Sequence, residues 1–449
     1  MKLIVLLFCF VSIVFRVSAQ EVWTLEQCIY HAYENNILLK QQRLEVDQAE
    51  NDLLQSKLNL LPGFSASGNF NSSKGKVLDQ NTFTVVEGKT VNSLSGSISS
   101  GITLFKGLQQ RNIIDRNLYS LLASIQNVEK LKNDLSINIT LYYLQIIHAQ
   151  EQLIVAENQL KLTHLQIERT SILVEIGSVP ESNLLELQSQ AAHEELQIVT
   201  ARSTLEFARL NLAQLLDIKT RASFQIVVPD FSNIEMYEAI TFVDDVFITL
   251  EATLPQIKAA EYNLKSAEKQ LSIAKGYRSP TLSLSGGYNT RYSSSAKMYS
   301  PITFEELNYS LRNQLKDGIN SYVGIGLSIP VFNGWQVQTN VKNANLNLQN
   351  YQYQLQLTKN NLYKEIQQAH TDVEESLKKY IASTKAMASM EETFRYTEQR
   401  YEVGLINFVD YSTAKMRLTI AQSDLLQTKF EYIFKTKVLD FYKGQPITL

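Results

Sequence analysis

The five histidines, His31, His148, His164, His193 and His370, are the side chains best suited to general-base work or metal ligation near neutral pH. No two of them stand three or four residues apart. That spacing is what brings two imidazoles to one helical face, so the chain carries no paired-histidine metal motif. No glycine-rich phosphate loop, nucleophile elbow or His-Glu-x-x-His pattern occurs. The adjacent acids Glu194-Glu195 and Glu391-Glu392 lie in polar helical stretches. They read as solvated or lumen-lining faces rather than acid–base pairs. Asn71 and Asn138 begin glycosylation-type triplets, but in a strand-like and a helix-like stretch, where such triplets arise by chance. The expectation is a protein that is not an enzyme and needs no metal or cofactor.

Bulk properties narrow the class. Over 449 residues the net charge is −3, so no basic face argues for nucleic acid as a partner. Charged residues make up 19%, low for a solvated coiled coil, and Asn, Gln, Ser and Thr fill the polar positions instead. At the N-terminus Lys2 precedes the apolar run Leu3 to Phe15, and small residues follow it. This is the pattern of a signal peptide over residues 1–19, cleaved after Ala19. Cys28 is then the only cysteine of the mature chain, so no intrachain disulfide supports the fold. No later apolar run reaches the length of a transmembrane helix, so a mature chain that spans a membrane does so as a β-barrel.

The elements repeat. Gly177 and Gly404 each interrupt a long helical pattern, and they stand 227 positions apart (404 − 177 = 227). The same offset separates Leu104–Gly107 (LFKG) from Val331–Gly334 (VFNG). Upstream, the stretches ending at Pro62 and Pro280 align at an offset of 218, bringing Ala49, Leu53 and Lys57 onto Ala267, Leu271 and Lys275. This is an internal duplication. It gives a first repeat over 20–219, a connecting segment over 220–250 packed against the helices, and a second repeat over 251–449.

Each repeat holds two stretches of period two. Leu94, Ile98, Ile102 and Leu104 share one face, opposite Ser93, Ser95, Ser97, Ser99 and Thr103. Leu282 and Leu284, with Tyr288 and Tyr292, oppose Ser283, Ser285, Asn289 and Arg291. Val323, Ile325 and Leu327 oppose Gly324, Gly326 and Ser328. One apolar face, one face of small polar residues, and aromatics near the strand ends suit a barrel wall between lipid and an aqueous lumen. The lipid-facing set is then Leu94, Ile98, Ile102, Leu282, Leu284, Val323, Ile325 and Leu327. The long helices carry apolar residues in steps of four and three, as in Leu135, Ile139, Tyr142, Ile146 and Ala149, and in Val337, Val341, Ala344, Leu348, Tyr351 and Leu355. Such spacing packs helices side by side along a seam. A soluble hairpin protein or a periplasmic coiled-coil scaffold without a pore is the competing reading. Four strands cannot close a membrane barrel, so several subunits must share one.

The duplicated layout, the Leu61-Pro62 and Ser279-Pro280 strand starts, the LFKG and PVFNG strand ends and the YEVGLINFVDY turn together resemble the TolC-like outer-membrane efflux channels. The resemblance covers essentially the whole mature chain. It implies a mixed α and β membrane protein: a long α-helical coiled-coil barrel continuous with a transmembrane β-barrel built from four strands per protomer of a homotrimer. It implies the outer membrane of a Gram-negative bacterium, with the helices extending into the periplasm. The function implied is a passive exit duct for drugs or metabolites in a tripartite efflux system, with a duct for protein export as the alternative. Its partners would be outer-membrane lipid, a periplasmic adaptor and, through it, an inner-membrane transporter. The glycine turns would be adaptor-contacting tips: Gly177, Ser178 and Val179 in the first, Gly404, Leu405 and Ile406 in the second. Asp410 matches an acidic ring at the channel entrance. Thr413 stands where a second acid is usual, and Ile406 where an arginine is common. Lys429 matches a basic position that restrains the closed entrance, and Asn183 occupies the place in the first repeat equivalent to Asp410.

Overall fold

The computed structural model describes residues 22–79, 83–218, 224–229, 231, 243–302, 304–307, 309–445 and 447–448. The signal peptide expected over 1–19 lies outside the described residues, as does much of the connecting segment. In chain order the elements are β1 (Val22–Trp23), α1 (Leu25–Asn35), α2 (Ile37–Leu58), β2 (Gly63–Asp79), β3 (Thr84–Lys106), α3 (Gln109–Glu175), α4 (Glu181–Leu215), β4 (Gln225–Ile226), α5 (Val243–Glu251), α6 (Pro255–Gly276), β5 (Thr281–Ser293), β6 (Met298–Tyr299), β7 (Glu306–Leu307), α7 (Leu311–Asp317), β8 (Asn320–Ser328), α8 (Gln336–Glu402) and α9 (Phe408–Tyr442). The helices α3 and α8 are both 67 residues long, α4 and α9 both 35, and α2 and α6 both 22. The first two pairs start 227 positions apart (336 − 109, 408 − 181) and the third 218 (255 − 37).

Two compact units cut across these halves. One comprises Met1–Leu44, Gln126–Lys258 and Gln356–Leu449; the other Glu45–Ile125 and Ala259–Leu355. In the first unit the chain enters α1 through a capping box: Gln27 N–H donates to Thr24 Oγ1, and Thr24 N–H donates to Gln27 Oε1. Two orphan donors of the first turn are thereby satisfied. Asn36 then bridges distant elements, donating to the Leu215 carbonyl at the end of α4 while accepting from Leu39 N–H. The connecting segment contributes β4, which pairs in parallel with β1, and the buried Tyr143 hydroxyl donates to the carbonyls of Trp23 and Val227. The heptad seam continues inward on α8, where Leu362, Ile366, Ala369, Val373 and Ser376 are all buried. Ala369 and Val373 join Tyr432 and Leu439 of α9 in one cluster.

The second unit holds an antiparallel sheet in the order β2-β3-β5-β8. Register aligns like with like. Phe70, Leu94 and Tyr292 form one cross-strand row; Ala66, Ile98 and Tyr288 another; Ile102, Leu284 and Ile325 a third. On the opposite face run Ser67, Ser97, Asn289 and Asn320, and then Ser65, Ser99, Gly287 and Tyr322. A one-residue slip would mix the two faces, so the alternation itself pins the pairing. Leu104 departs from the expected face. A bulge between Thr103 and Phe105 sets Phe105, not Leu104, opposite Leu282, because the inserted residue reverses the alternation beyond it. Beyond Asn289, where β8 stops, the short helix α7 takes over beside β5. Ser293 N–H donates to Gln314 Oε1, and Thr290 Oγ1 donates to the Leu315 carbonyl.

Candidate functional site

The two glycine turns are built alike. At the end of α3, Gly177 N–H donates to the Val174 carbonyl and Ser178 N–H to the Leu173 carbonyl. At the end of α8, Gly404 N–H donates to Tyr401 and Leu405 N–H to Arg400. Both are Schellman caps, which require a left-handed residue after the helix. Gly177 sits at φ 70° and Gly404 at φ 74°, where a β-carbon would be opposed. The restarts differ. Asn407 caps α9 by accepting from Asp410 N–H at 2.8 Å, whereas α4 restarts after Pro180 with no side-chain cap.

These turns expose apolar side chains. Leu405 is 70% exposed, and Ile176, Val403 and Val409 are also exposed, while Val179 and Ile406 are half-buried. Ile176, Val403 and Val409 were not among the expected contacts; their signal is that an apolar residue flanks each cap without continuing the seam. Asp410 lies exposed in the first turn of α9, and Thr413 is half-buried. Asn183 is half-buried in the first turn of α4, its N–H donating to the Pro180 carbonyl. Lys429 is 19 residues beyond Asp410 on the same helix, about 28 Å along its axis. It is not brought to Asp410. Its ammonium lies 6.0 Å from the ring centre of Phe231 and 5.9 Å from that of Phe430.

Above the turns, α3, α4 and α9 share a buried polar cluster. Lys415 Nζ lies 2.9 Å from Glu194 Oε1, and each side chain is 6% exposed. Thr163 Oγ1 donates to Glu194 Oε2 at 2.5 Å and accepts from Lys415. Gln190 adds a donor to Glu194 and accepts from Ser412; Gln159 donates to Thr419; Gln166 donates to Tyr411. Burial holds the Tyr411 phenol above its usual range, and it stacks on Tyr401 with ring centres 4.7 Å apart. The reading of Glu194 as a solvated or lumen-lining acid is therefore corrected: it is an interior charge neutralised by Lys415, while its neighbour Glu195 is exposed. Adjacent acids on a helix point about 100° apart, so a charge run does not share one environment.

In the sheet, Ile98, Val323, Ile325 and Leu327 are exposed, and Leu94, Ile102, Leu282 and Leu284 are half-buried, all on the apolar rows. An apolar face of this kind, half of it exposed, marks a surface that contacts another protein or a membrane. Among the described residues no helix is long and apolar enough to cross a membrane, and no three potential metal ligands cluster.

Residues 28–217 and 249–433 match the outer membrane efflux protein family. The outer membrane protein TolC of Escherichia coli K12 is 21% identical over 422 residues, covering 93% of this chain and 81% of that protein. The toxin and drug export protein A of Aggregatibacter actinomycetemcomitans is 22% identical over 430 residues, covering 91% and 83%. The crystal structure of the Campylobacter jejuni CmeC outer membrane channel superposes with a TM-score of 0.79 at 18% identity, covering 94% of this chain and 85% of that one. With matching segments on both sides of the connecting region and the same mixed helical and sheet fold, the chain belongs to the outer membrane efflux protein family and is a channel of the Gram-negative outer membrane that serves tripartite export.

Proposed function

We propose that three copies of this chain close their four-stranded sheets into one transmembrane barrel, and that their helical hairpins continue it as a single passive exit duct for small molecules such as drugs. One quasi-equivalence carries the reading. Gly107 and Gly276 touch backbone to backbone: a β-carbon on Gly107 would lie 2.5 Å from the Gly276 carbonyl oxygen. Beside them Gln109 is 2% exposed, Tyr119 stacks on Tyr262, and Asp115 pairs with Lys269 at 2.8 Å. This contact joins the start of α3 to α6. Its counterpart from the duplication would join the start of α8 to α2, and among the described residues of one chain it is not made. Gly334, at φ 61°, has nothing within 4 Å of its β-carbon position. Gln336, the mate of Gln109, is exposed. Leu346 and Leu44, the mates of Tyr119 and Tyr262, are 62% and 65% exposed. The strands β2 and β8 end the sheet with one free edge each. A second copy supplies both missing neighbours, and repetition of the same contact closes a ring. The number three follows the resemblance to TolC-like channels.

In this assembly Leu94, Ile98, Ile102, Leu282, Leu284, Val323, Ile325 and Leu327 face lipid, and the serine-rich rows face the bore. The Gly177–Val179 and Gly404–Ile406 tips meet a periplasmic adaptor. Asp410, with Thr413 and Asn183 near the same turns, forms a weakly acidic entrance; Lys429 stands farther along α9, against aromatic rings. The test is a Leu44→Cys, Leu346→Cys double variant treated with a short bifunctional thiol cross-linker in outer-membrane preparations. A covalent ladder ending at three copies is expected, with none from either single variant. Uncross-linked monomer from correctly inserted protein rejects the interface.

A further inference from the structure

We infer that Arg291 makes the polar wall of the sheet a passing site for oxyanions, so that this part of the bore, unlike the weakly acidic entrance, favours cargo bearing a carboxylate, sulfonate or phosphate group. The inference rests on the reading that this wall lines the bore. Across Gly63–Asn71, Ser93–Lys106, Thr281–Ser293 and Asn320–Ser328, the part of the sheet in which β3 pairs with β5 as well as with β2, there is no Asp or Glu; Asp79 and Glu87 lie farther out, where β2 and β3 pair only with each other. Only two side chains in the former part are charged, Lys106 and Arg291, and both are cations. The absence of charge on the apolar rows is what contact with lipid demands. No such demand applies to the polar rows, yet register puts both cations there: Arg291 opposite Ser95, and Lys106 opposite Thr281, itself opposite Ser328.

The two cations differ in availability. Lys106 Nζ lies 5.7 Å from the ring centre of Tyr277, a contact that partly engages it. Arg291 has neither a carboxylate nor a ring as partner among the described residues, and it lines a concave surface with Asn69, Ser95, Ser97 and Asn289. Ser65 bonds Ser99, and Ser67 bonds Ser97, so those hydroxyls are mutually engaged. The side chains of Asn69, Ser95 and Asn289 have no such bond among the described residues. A guanidinium offers a planar fork of five donors that matches an oxyanion, and here it is flanked by further amide and hydroxyl donors. Three subunits would set three such forks around one bore, the arrangement of a cationic ring in an anion-conducting pore.

Reversal potential in planar bilayers under a potassium chloride gradient reads the effect, together with block by naphthalene-1,5-disulfonate. Arg291→Gln is expected to lower the chloride-to-potassium permeability ratio by about twofold or more and to weaken the disulfonate block, while Arg291→Lys retains much of both. An independent arm uses assembled Ser95→Cys channels, modified with a sulfonate-bearing or a trimethylammonium-bearing methanethiosulfonate. The sulfonate adduct should reproduce Arg291→Gln, and the ammonium adduct should oppose it. Native Cys28 does not interfere, because it is buried and its thiol is pushed up to about 12, by burial first and then by the charge of Glu26. Ser97→Cys and Ile98→Cys separate the two ideas. Current block on modification of Ser97→Cys, with none for Ile98→Cys, supports the bore assignment. If that result holds while Arg291→Gln and the Ser95 adducts leave permeability ratio and block unchanged, the oxyanion site is rejected and the bore stands. If Ser97→Cys is inert and Ile98→Cys blocks, the facing itself is wrong and the site is rejected with it.

Discussion

Lys415 and Glu194 are the residues whose loss should cost the helical unit most. Both are almost fully buried and meet at 2.9 Å. Such a pair adds little over well-packed apolar residues, because desolvation offsets most of its attraction. Cutting one partner is different, since the other charge stays buried without its counterion. Lys415→Met should therefore destabilise by about 3–5 kcal/mol, and the Lys415→Met, Glu194→Leu double variant by clearly less. Thermal unfolding followed by helical circular dichroism checks this; equal losses in the single and double variants would mean that the ion pair itself dominates. The pair escapes a reading of the sequence for a physical reason. Leu187, Ala191 and Glu194 are spaced by four and three, as are Tyr411 and Lys415 by four, so both charged residues continue buried stripes. Chemical type argues for solvent, period argues for burial, and only contact between helices decides between them.

The helical hairpins turn on their caps. Gly404 and Gly177 take the same left-handed conformation, but only α9 adds a side-chain cap, through Asn407. Gly404→Ala should cost about 1–2 kcal/mol from the left-handed backbone alone. Asn407→Ala should cost about 1 kcal/mol from the lost cap. Pro180→Ala, at the equivalent place, removes no cap bond and should cost less than Asn407→Ala. Differential scanning calorimetry on the purified protein ranks the three, and a Pro180→Ala loss exceeding that of Asn407→Ala would show that the two turns are held by something other than their caps. These turns are legible in the sequence because a glycine inside a long helical period marks the place where the helix stops and the chain reverses. The strand faces are legible for a similar reason, as a period of two is a local property. Leu104 falls on the wrong face in the sequence pattern because a bulge is invisible to alternation: it needs the partner strand to reveal that two residues face one. The helix α7 shows no period, since its seven residues are too few; its only local marks are Ser310, which caps its start by accepting from Asn313 N–H, and Gly318 at its end.

At the scale of the molecule, the exposed apolar tips and the unmade repeat contact both call for other chains. The tips are tested by a Leu405→Asp, Val179→Asp double variant. It should reach the outer membrane as cross-linkable oligomers and lose at least about tenfold of efflux, because an unpaired carboxylate buried against an apolar partner surface is strongly unfavourable. Undiminished efflux with normal assembly would remove the tips from adaptor contact and leave the duct intact.

The sequence by itself determined the duplication, the order of the long helices and main strands, the two-faced pattern of those strands up to the bulge at Leu104, and the positions of both turns. Each is written in local spacing or in self-similarity, and neither depends on what packs against what. The three-dimensional structure decided the rest. It paired β3 with β5 across nearly two hundred residues of chain, placed the bulge, and sank Glu194 against Lys415. It also revealed that Gly107 is covered and Gly334 is bare, although both end the same motif in the same backbone conformation. Local spacing assigns the two glycines one role; whether that role is fulfilled depends on which helix, from which chain, lies alongside.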